Sequence, residues 1–481
     1  MGDYTADIVI IGSGAGGASV AATLAESGRD VMILEEGSRS RISEIEMHTP
    51  EAMRTMYRDG GASSISAQTR IAYVEGRGVG GSTEINSGFW HRLPPSVLAS
   101  WQVEHGLAIE NGNRFETLFE EIENDLGLVS IGDAELPPSS NVFKAGLDKL
   151  GWDATETPRL QRGNPAKSQF GLNAKSSMSL TLIPKAIKAG ARLISDCKVS
   201  KIKRKGDSIT GIEAVVEKDG HPENIFVDAK HVWICCGTIQ TPLLLLNSGF
   251  KENIGNNLQI HPMIKIAAEF DRKLDAHNSV MPVFQIRDFA SDVFIGGSVF
   301  TPGFLAMALA DSSNVDSDVL QNWRNSAIFY VSVKSGGSGT IRPMPLSGTA
   351  RSNFRLSQDD SPNLTSGLLR LSDVLFAGGA TRLFPGVSDT GEWSSMDQVK
   401  RELSSPIEFS RMRLSTVHLT STCPIGENPR RSAADSSGRI NGMSNLYVGD
   451  ASAIPSAPGV NPQGTVMALA TMNARKFAAK I

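Results

Sequence analysis

Gly12-Ser13-Gly14-Ala15-Gly16-Gly17 and the carboxylate of Glu35 are the residues whose chemistry can be read first. The run satisfies G-x-G-x-x-G. In that pattern Gly12 permits a tight turn, Gly14 lets the backbone approach a pyrophosphate, and Gly17 lets a helix pack closely on a strand. Free N–H groups and the positive dipole end of a following helix complete an anion site. Glu35 lies 23 residues beyond Gly12, where a carboxylate accepts a hydrogen bond from a ribose hydroxyl. The pattern binds a dinucleotide and does not itself separate FAD from NAD. A plain glycine turn in a βαβ unit is the blander reading. A second glycine-rich stretch runs from Glu75 to Trp90, with five glycines and three hydroxyls. Such a stretch lays backbone against a flat ligand with many N–H groups free to donate.

The elements that must hold these residues follow from periodicity. Asp7–Ile11 is β-branched and apolar, a buried strand that ends at glycine. Ala15 to about Ser27 has the small, apolar spacing of a helix stopped at Gly28. Val31–Leu34 is a second strand, ending at Glu35. Helices are expected over Phe115–Leu126 and Asn141–Leu150, with 136–140 as a break between them. From Ala191 short strands return: 191–195, 199–204, 209–216, 225–227 and then His231–Gly237. A helix opens at Thr238. Residues 263–416 hold the fewest motifs; strand-like stretches such as 327–333 predict an antiparallel sheet. Val299–Ala310 is apolar, fit for a core element or for the wall or lid of an apolar cavity. The end of the chain reads as a strand over Asn445–Val448 and a helix running to about Lys480.

At 481 residues the chain has room for two domains. A net charge of -4 gives no reason to expect nucleic acid or an anionic membrane. Cys197, Cys235, Cys236 and Cys423 form no C-x-x-C, so metal and redox-pair chemistry are not expected. This usage fits a reducing compartment, and the first strand begins too early to leave room for a cleavable signal. No apolar run reaches the length of a membrane span. A cytoplasmic location is the expectation.

The stretch Gly76-Arg77-Gly78-Val79-Gly80-Gly81-Ser82-Thr83-Glu84-Ile85-Asn86 resembles the first signature of the glucose–methanol–choline (GMC) flavoprotein oxidoreductases, G-R-x-x-G-G-S-S/T-x-x-N. The resemblance implies that Arg77, Gly80, Gly81, Ser82 and Asn86 contact FAD. Some members bond the flavin covalently through a histidine just before the asparagine; here that position is Ile85, so non-covalent FAD is expected. Gly237 to Gly249 is similar to the second signature, and by resemblance the Val199 backbone meets the adenine. Asn257-Leu258-Gln259-Ile260-His261-Pro262 resembles the crossing between domains, which makes His261 a structural rather than a catalytic residue.

At the C-terminus, His418-Leu419-Thr420-Ser421-Thr422-Cys423-Pro424-Ile425-Gly426 resembles H-x-x-G-T-C-x-M-G, with Ser421 for glycine and Ile425 for methionine. Gly449-Asp450-Ala451-Ser452 and Asn461-Pro462-Gln463-Gly464-Thr465 match the G-D-A-S and N-P-x-x-T elements, which place Asp450, Ala451, Pro462 and Thr465 at the cofactor. The resemblance makes His418 and Asn461 the catalytic pair. A histidine of ordinary pKa near ~6.5 can take a hydroxyl proton. Asn461 can orient the same oxygen without titrating; it could instead cap the last helix. The implied fold is α/β. A discontinuous Rossmann-like FAD domain comes from residues 1–95, 191–262 and 430–481, and a substrate domain on an antiparallel sheet from 96–190 and 263–429. The implied activity is oxidation of an alcohol to an aldehyde or ketone by hydride transfer to flavin N5. Gly337–Thr340, Gly378–Thr381 and Gly459–Pro462 look most like the long-chain alcohol oxidase branch, which points to an apolar alcohol. The electron acceptor (oxygen, a quinone or a protein) is not readable. An NAD-linked dehydrogenase would share the first glycine motif but has no use for the others. A non-catalytic flavin-binding partner subunit, or a decarboxylating flavoprotein, would be expected to lose the histidine.

Overall fold

The computed structural model describes residues 3–39, 45, 49–109, 112–130, 136–161, 175–278, 283–286, 293–310 and 318–480. Among them, seven strands build the first sheet. Its parallel part joins Arg192–Ile194, Val31–Leu34, Tyr4–Ile11, the end of His221–Ile234, and Leu446–Val448. An antiparallel flap, Cys197–Lys205 and Ser208–Lys218, extends it. The register sets Ile194, Leu34, Ile11, Ile234 and Val448 in one row. The residues that follow, Glu35, Gly12, Cys235 and Gly449, therefore emerge along one edge. The crevice outside the carboxyl ends of parallel strands is where such folds bind ligands.

Two expectations change here. Residues 225–227 and 231–234 belong to one 14-residue strand, His221–Ile234, because its first half pairs with the flap and its second half with Tyr4–Ile11; the expected strand end at Gly237 is instead the start of the helix Gly237–Asn247. The expected break at 136–140 contains the start of a helix, Pro138–Leu150, with proline in its first turn, where the missing N–H is not needed. Helix Ala15–Glu26 packs on the final helix Gln463–Ala478 and on Leu182–Lys188.

A second sheet of nine strands is built round Met263–Phe270, flanked by Ser326–Val333 and Ala380–Pro385. Its pairings are antiparallel except where Leu414–Thr416 joins Ile71–Tyr73. Strands 63–65 and 71–73, from the N-terminal segment, thus complete this sheet rather than the first. The helix Asp360–Ala377 covers one face. Leu364, Leu368, Leu371 and Leu375, at helical spacing, are all fully buried on it. Gly367 makes the approach possible, since a Cβ there would lie 2.3 Å from Val331 Cγ1. Strand alternation turns Met263, Lys265, Tyr330 and Ser332 to the opposite face, where they line a cavity. No helix among the described residues is long and apolar enough to cross a membrane.

Candidate active site

A cavity of about 1380 Å³ runs from the carboxyl edge of the first sheet to the open face of the second. At its nucleotide end Gly12 has φ +98°, and a Cβ there would lie 2.3 Å from the Cys235 carbonyl oxygen. Gly14 faces open space, so its backbone is bare to a ligand. Gly17 acts in packing: a Cβ would meet the Gly12 carbonyl at 2.0 Å. Gly16, whose Cβ would lie 1.9 Å from the Gly449 carbonyl, lets the C-terminal strand close on the loop. Glu35 is held rather than free. Its carboxylate accepts from Ser13 N–H at 3.0 Å, Ser13 Oγ at 2.7 Å and Gly37 N–H at 2.9 Å. Two carboxylate oxygens offer about four acceptor positions, so a ribose hydroxyl can still be accommodated. Burial nonetheless pushes its pKa up.

Ser13 ties the two glycine loops together, because its Oγ also accepts from Gly80 N–H at 3.0 Å. A Cβ on Gly81 would lie 3.0 Å from Gly14 Cα. Ser82 Oγ accepts from Gly76 N–H at 3.0 Å. Asn86 turns its amide nitrogen to Gln463 Oε1 at 2.6 Å and its oxygen to Gly88 N–H at 3.0 Å. The loop is pinned from behind by Lys175, whose Nζ donates to the carbonyls of Glu84 at 2.7 Å and Asn86 at 2.8 Å. Burial lowers the Lys175 pKa to about 7. Gly12, Ser13, Gly14, Ala15, Gly16, Glu35, Gly81, Ser82, Ile85, Asn86, Val199, Gly237, Asp450, Ala451, Asn461 and Pro462 all line the cavity, as does His418. Four of the expected cofactor residues are elsewhere. Arg77 is half-exposed, 3.7 Å from Glu36; Gly17 and Gly80 serve packing and the turn; Thr465 is buried in the last helix. At Gly17, Gly80 and Thr465 the Cβ directions or side chains face the protein.

Asp450 is a hub. It accepts from Gly237 N–H at 2.8 Å, from Thr241 Oγ1 at 2.5 Å and from Ser452 N–H at 2.7 Å. It thereby fixes the helix Gly237–Asn247 against the turn after Val448. Three helices point their N-termini at the cavity: Ala15–Glu26, Gly237–Asn247 and Gln463–Ala478. The Asp450 carboxylate takes up the end of Gly237–Asn247, while the other two have no side-chain cap. Two uncapped positive ends around one groove suit a ligand carrying a pyrophosphate.

His418 stands where that groove meets the second sheet. The strand Leu419–Thr420 pairs with Gln259–Ile260, which brings the following His261 alongside. The two rings cross at 89° with Nδ1 to Nδ1 at 3.0 Å. One Nδ1 must donate and the other accept. His261 is fully buried, and its Nε2 has no hydrogen-bond partner. Burial lowers the pKa of His418 to about 4 and that of His261 well below its usual value, the latter helped by the charge of His418. Burial thus favours the neutral form of each ring. Asn461 is not a cap: Pro462 occupies that position and the Asn461 amide makes no hydrogen bond among the described residues.

Sequence reasoning missed the contact made by His261, although its N-L-Q-I-H-P context marked the position. The segment 170–174, to which the sequence assigns no role, lies outside the described residues; Lys175 at its end is the loop anchor described above. After the apolar stretch Val299–Ala310 the sequence turns acidic and polar from Asp311 to Asp318, and all of that run but Asp318 also lies outside them. Among the described residues no cluster of His, Cys, Asp and Glu could hold a metal ion.

The sequence matches the GMC oxidoreductase family model at residues 53–263 for its N-terminal part and 341–470 for its C-terminal part, and an NAD(P)-binding Rossmann-like model at 10–54. An uncharacterized GMC-type oxidoreductase of Sinorhizobium fredii is 37% identical over 470 residues, covering 97% of this chain and 93% of that protein. A long-chain-alcohol oxidase of Arabidopsis thaliana is 26% identical over 504 residues, covering 96% of this chain and 66% of that protein. Among solved structures, pyridoxine 4-oxidase from Mesorbium loti superposes with a TM-score of 0.72 at 18% identity, covering 98% of this chain and 99% of that one. A formate oxidase from Aspergillus oryzae gives 0.76 at 15% identity, covering 100% and 99%. The chain belongs to the GMC oxidoreductase family, and it is an FAD-dependent oxidoreductase of that family.

Proposed function

We propose that this enzyme oxidises an alcohol to an aldehyde or ketone, with His418 as the base, Asn461 as the orienting group and FAD held without a covalent bond. The observation that carries the reading is the His418–His261 pair at the junction of nucleotide groove and substrate cavity. If His418 Nδ1–H donates to His261 Nδ1, then His418 Nε2 keeps a lone pair for the substrate. Taking the hydroxyl proton there makes an imidazolium whose Nδ1–H is still received by a neutral ring. Burial keeps His418 unprotonated at neutral pH, the state a base needs. Asn461, with no hydrogen-bond partner among the described residues, can donate its amide to the substrate oxygen. When bound, FAD supplies the acceptor for the carbon-bound hydride. Ile85 lines the cavity and offers no nucleophilic atom, which supports non-covalent binding.

The test has two arms. Acid precipitation should release all flavin into the supernatant; flavin retained in the pellet would refute non-covalent binding. Anaerobic addition of alcohols should bleach the flavin absorption, and a panel of fatty, aromatic, sterol and sugar alcohols that leaves it unbleached would refute alcohol oxidation.

A further inference from the structure

Arg70 and Arg413 line the cavity from just before the strands Ile71–Tyr73 and Leu414–Thr416, and Lys265 is the charged residue among those described that lies within a strand of the second sheet and faces the cavity. It interrupts an otherwise apolar stretch, Met263-Ile264-Lys265-Ile266-Ala267-Ala268, on the central strand of the sheet. Alternation turns Ile264 and Ile266 to the core and Lys265 to the cavity, opposite Tyr330. Its Nζ lies 5.7 Å from the centre of the Phe304 ring, and it forms no ion pair or hydrogen bond among the described residues. The acidic residues that line the cavity, Glu35, Glu36, Asp59, Glu75 and Asp450, come from none of these strands. An ammonium held away from any carboxylate is costly, and burial pulls its pKa below the lysine range. Around it Phe294, Val299, Phe304, Met307 and Ile328 give the cavity an apolar wall. Four residues of chain separate Lys265 from His261, roughly 13 Å when extended.

We propose that Lys265 is an anion-binding subsite and that the alcohol oxidised by this enzyme carries a carboxylate at the far end of an apolar spacer, as an omega-hydroxy acid does. The hydroxyl lies at His418, the methylene chain along the apolar wall, and the carboxylate at Nζ, where a charge-assisted hydrogen bond offsets the desolvation of both groups. This rests on the alcohol-oxidation reading above and adds the substrate class.

The experiment compares anaerobic flavin reduction by omega-hydroxyoctanoate and by octanol in the holoenzyme, in Lys265→Met and in Lys265→Arg, together with the flavin spectral change on titrating octanoate, which has no hydroxyl to oxidise. The inference expects kcat/KM to favour the hydroxy acid by about tenfold or more. The Met variant should lose that preference, and the Arg variant should keep it. Octanoate should perturb the parent and Arg spectra but not the Met spectrum. An equal preference in parent and Met variant, or octanoate binding that the Met substitution leaves unchanged, would overturn it. Octanol bleaching the flavin with no advantage for the hydroxy acid would overturn the subsite and leave alcohol oxidation standing. Octanoate binding that depends on Lys265, with neither substrate bleaching the flavin, would support the subsite and count against alcohol oxidation.

Discussion

Replacing His261 tests the proton-handling geometry without touching the proposed base. In the proposed arrangement His418 Nδ1–H donates to His261 Nδ1 across the 3.0 Å contact, which leaves His418 Nε2 bare. In His261→Ala the His418 Nδ1–H loses its acceptor in a buried site. A hydrogen bond to a charged group contributes roughly 1.5–3 kcal/mol. Since each 1.36 kcal/mol is tenfold, losing it as the imidazolium forms slows flavin reduction roughly 10- to 150-fold. The interaction strengthens only when His418 gains charge, so the loss belongs in the rate constant for reduction and little of it in substrate affinity. His261→Asn can place an amide oxygen near the missing Nδ1 and should recover most of the rate. The assay is anaerobic stopped-flow reduction at saturating alcohol, with flavin content and melting temperature checked for each variant. An Ala variant within about twofold of the parent, or an Asn variant as slow as Ala, would refute the reasoning.

Four further outcomes follow from the same structure. Burial drops the His418 pKa from 6.5 to about 4, so flavin reduction should hold level through neutral pH and fall only as pH approaches that value; a loss centred near 6.5 in the pH–rate profile would contradict it. Because both buried histidines bind protons more weakly folded than unfolded, they favour the folded state above the unfolded pKa, and stability should decline as pH falls from 6.5 toward about 4 in denaturant titrations. Ser421 stands at φ +72°, fully buried, where an L side chain costs roughly 1–2 kcal/mol; chemical denaturation should find Ser421→Gly within about 1 kcal/mol of the parent and Ser421→Val at least about 2 kcal/mol less stable. Leu371→Ala, in the helix under the second sheet, should cost about 2–5 kcal/mol in the same assay.

Much of this molecule was legible because ligand-binding backbone leaves glycine behind. Gly12, Gly14 and Gly17 could be given separate physical roles from spacing alone; the structure shows the turn at Gly12 and the close packing at Gly17, and leaves Gly14 facing open space. The resemblance placed His418 and Asn461, and the left-handed turn at Ser421 explains why the family pattern has glycine there. A motif fixes where the chain runs, not where a long side chain points: the structure sets the Arg77 side chain half-exposed beside Glu36. The continuous strand His221–Ile234 was split because local pattern cannot show that its two halves take different partners. The helix Asp360–Ala377 has the right apolar spacing but carries Ser361, Pro362, Thr365 and Gly367, residues that lower local helix preference until the sheet beneath supplies the packing. The context of His261 and the apolar stretch that Lys265 interrupts mark both positions in the sequence, but what each side chain faces emerges only when distant segments are brought together.

Replacing His418 by alanine tests the central claim most directly. With flavin content and melting temperature matched to the parent, anaerobic reduction by a substrate alcohol should slow by about 10²–10⁴-fold. A His418→Ala enzyme that holds its flavin and is reduced at the parent's rate would contradict the account.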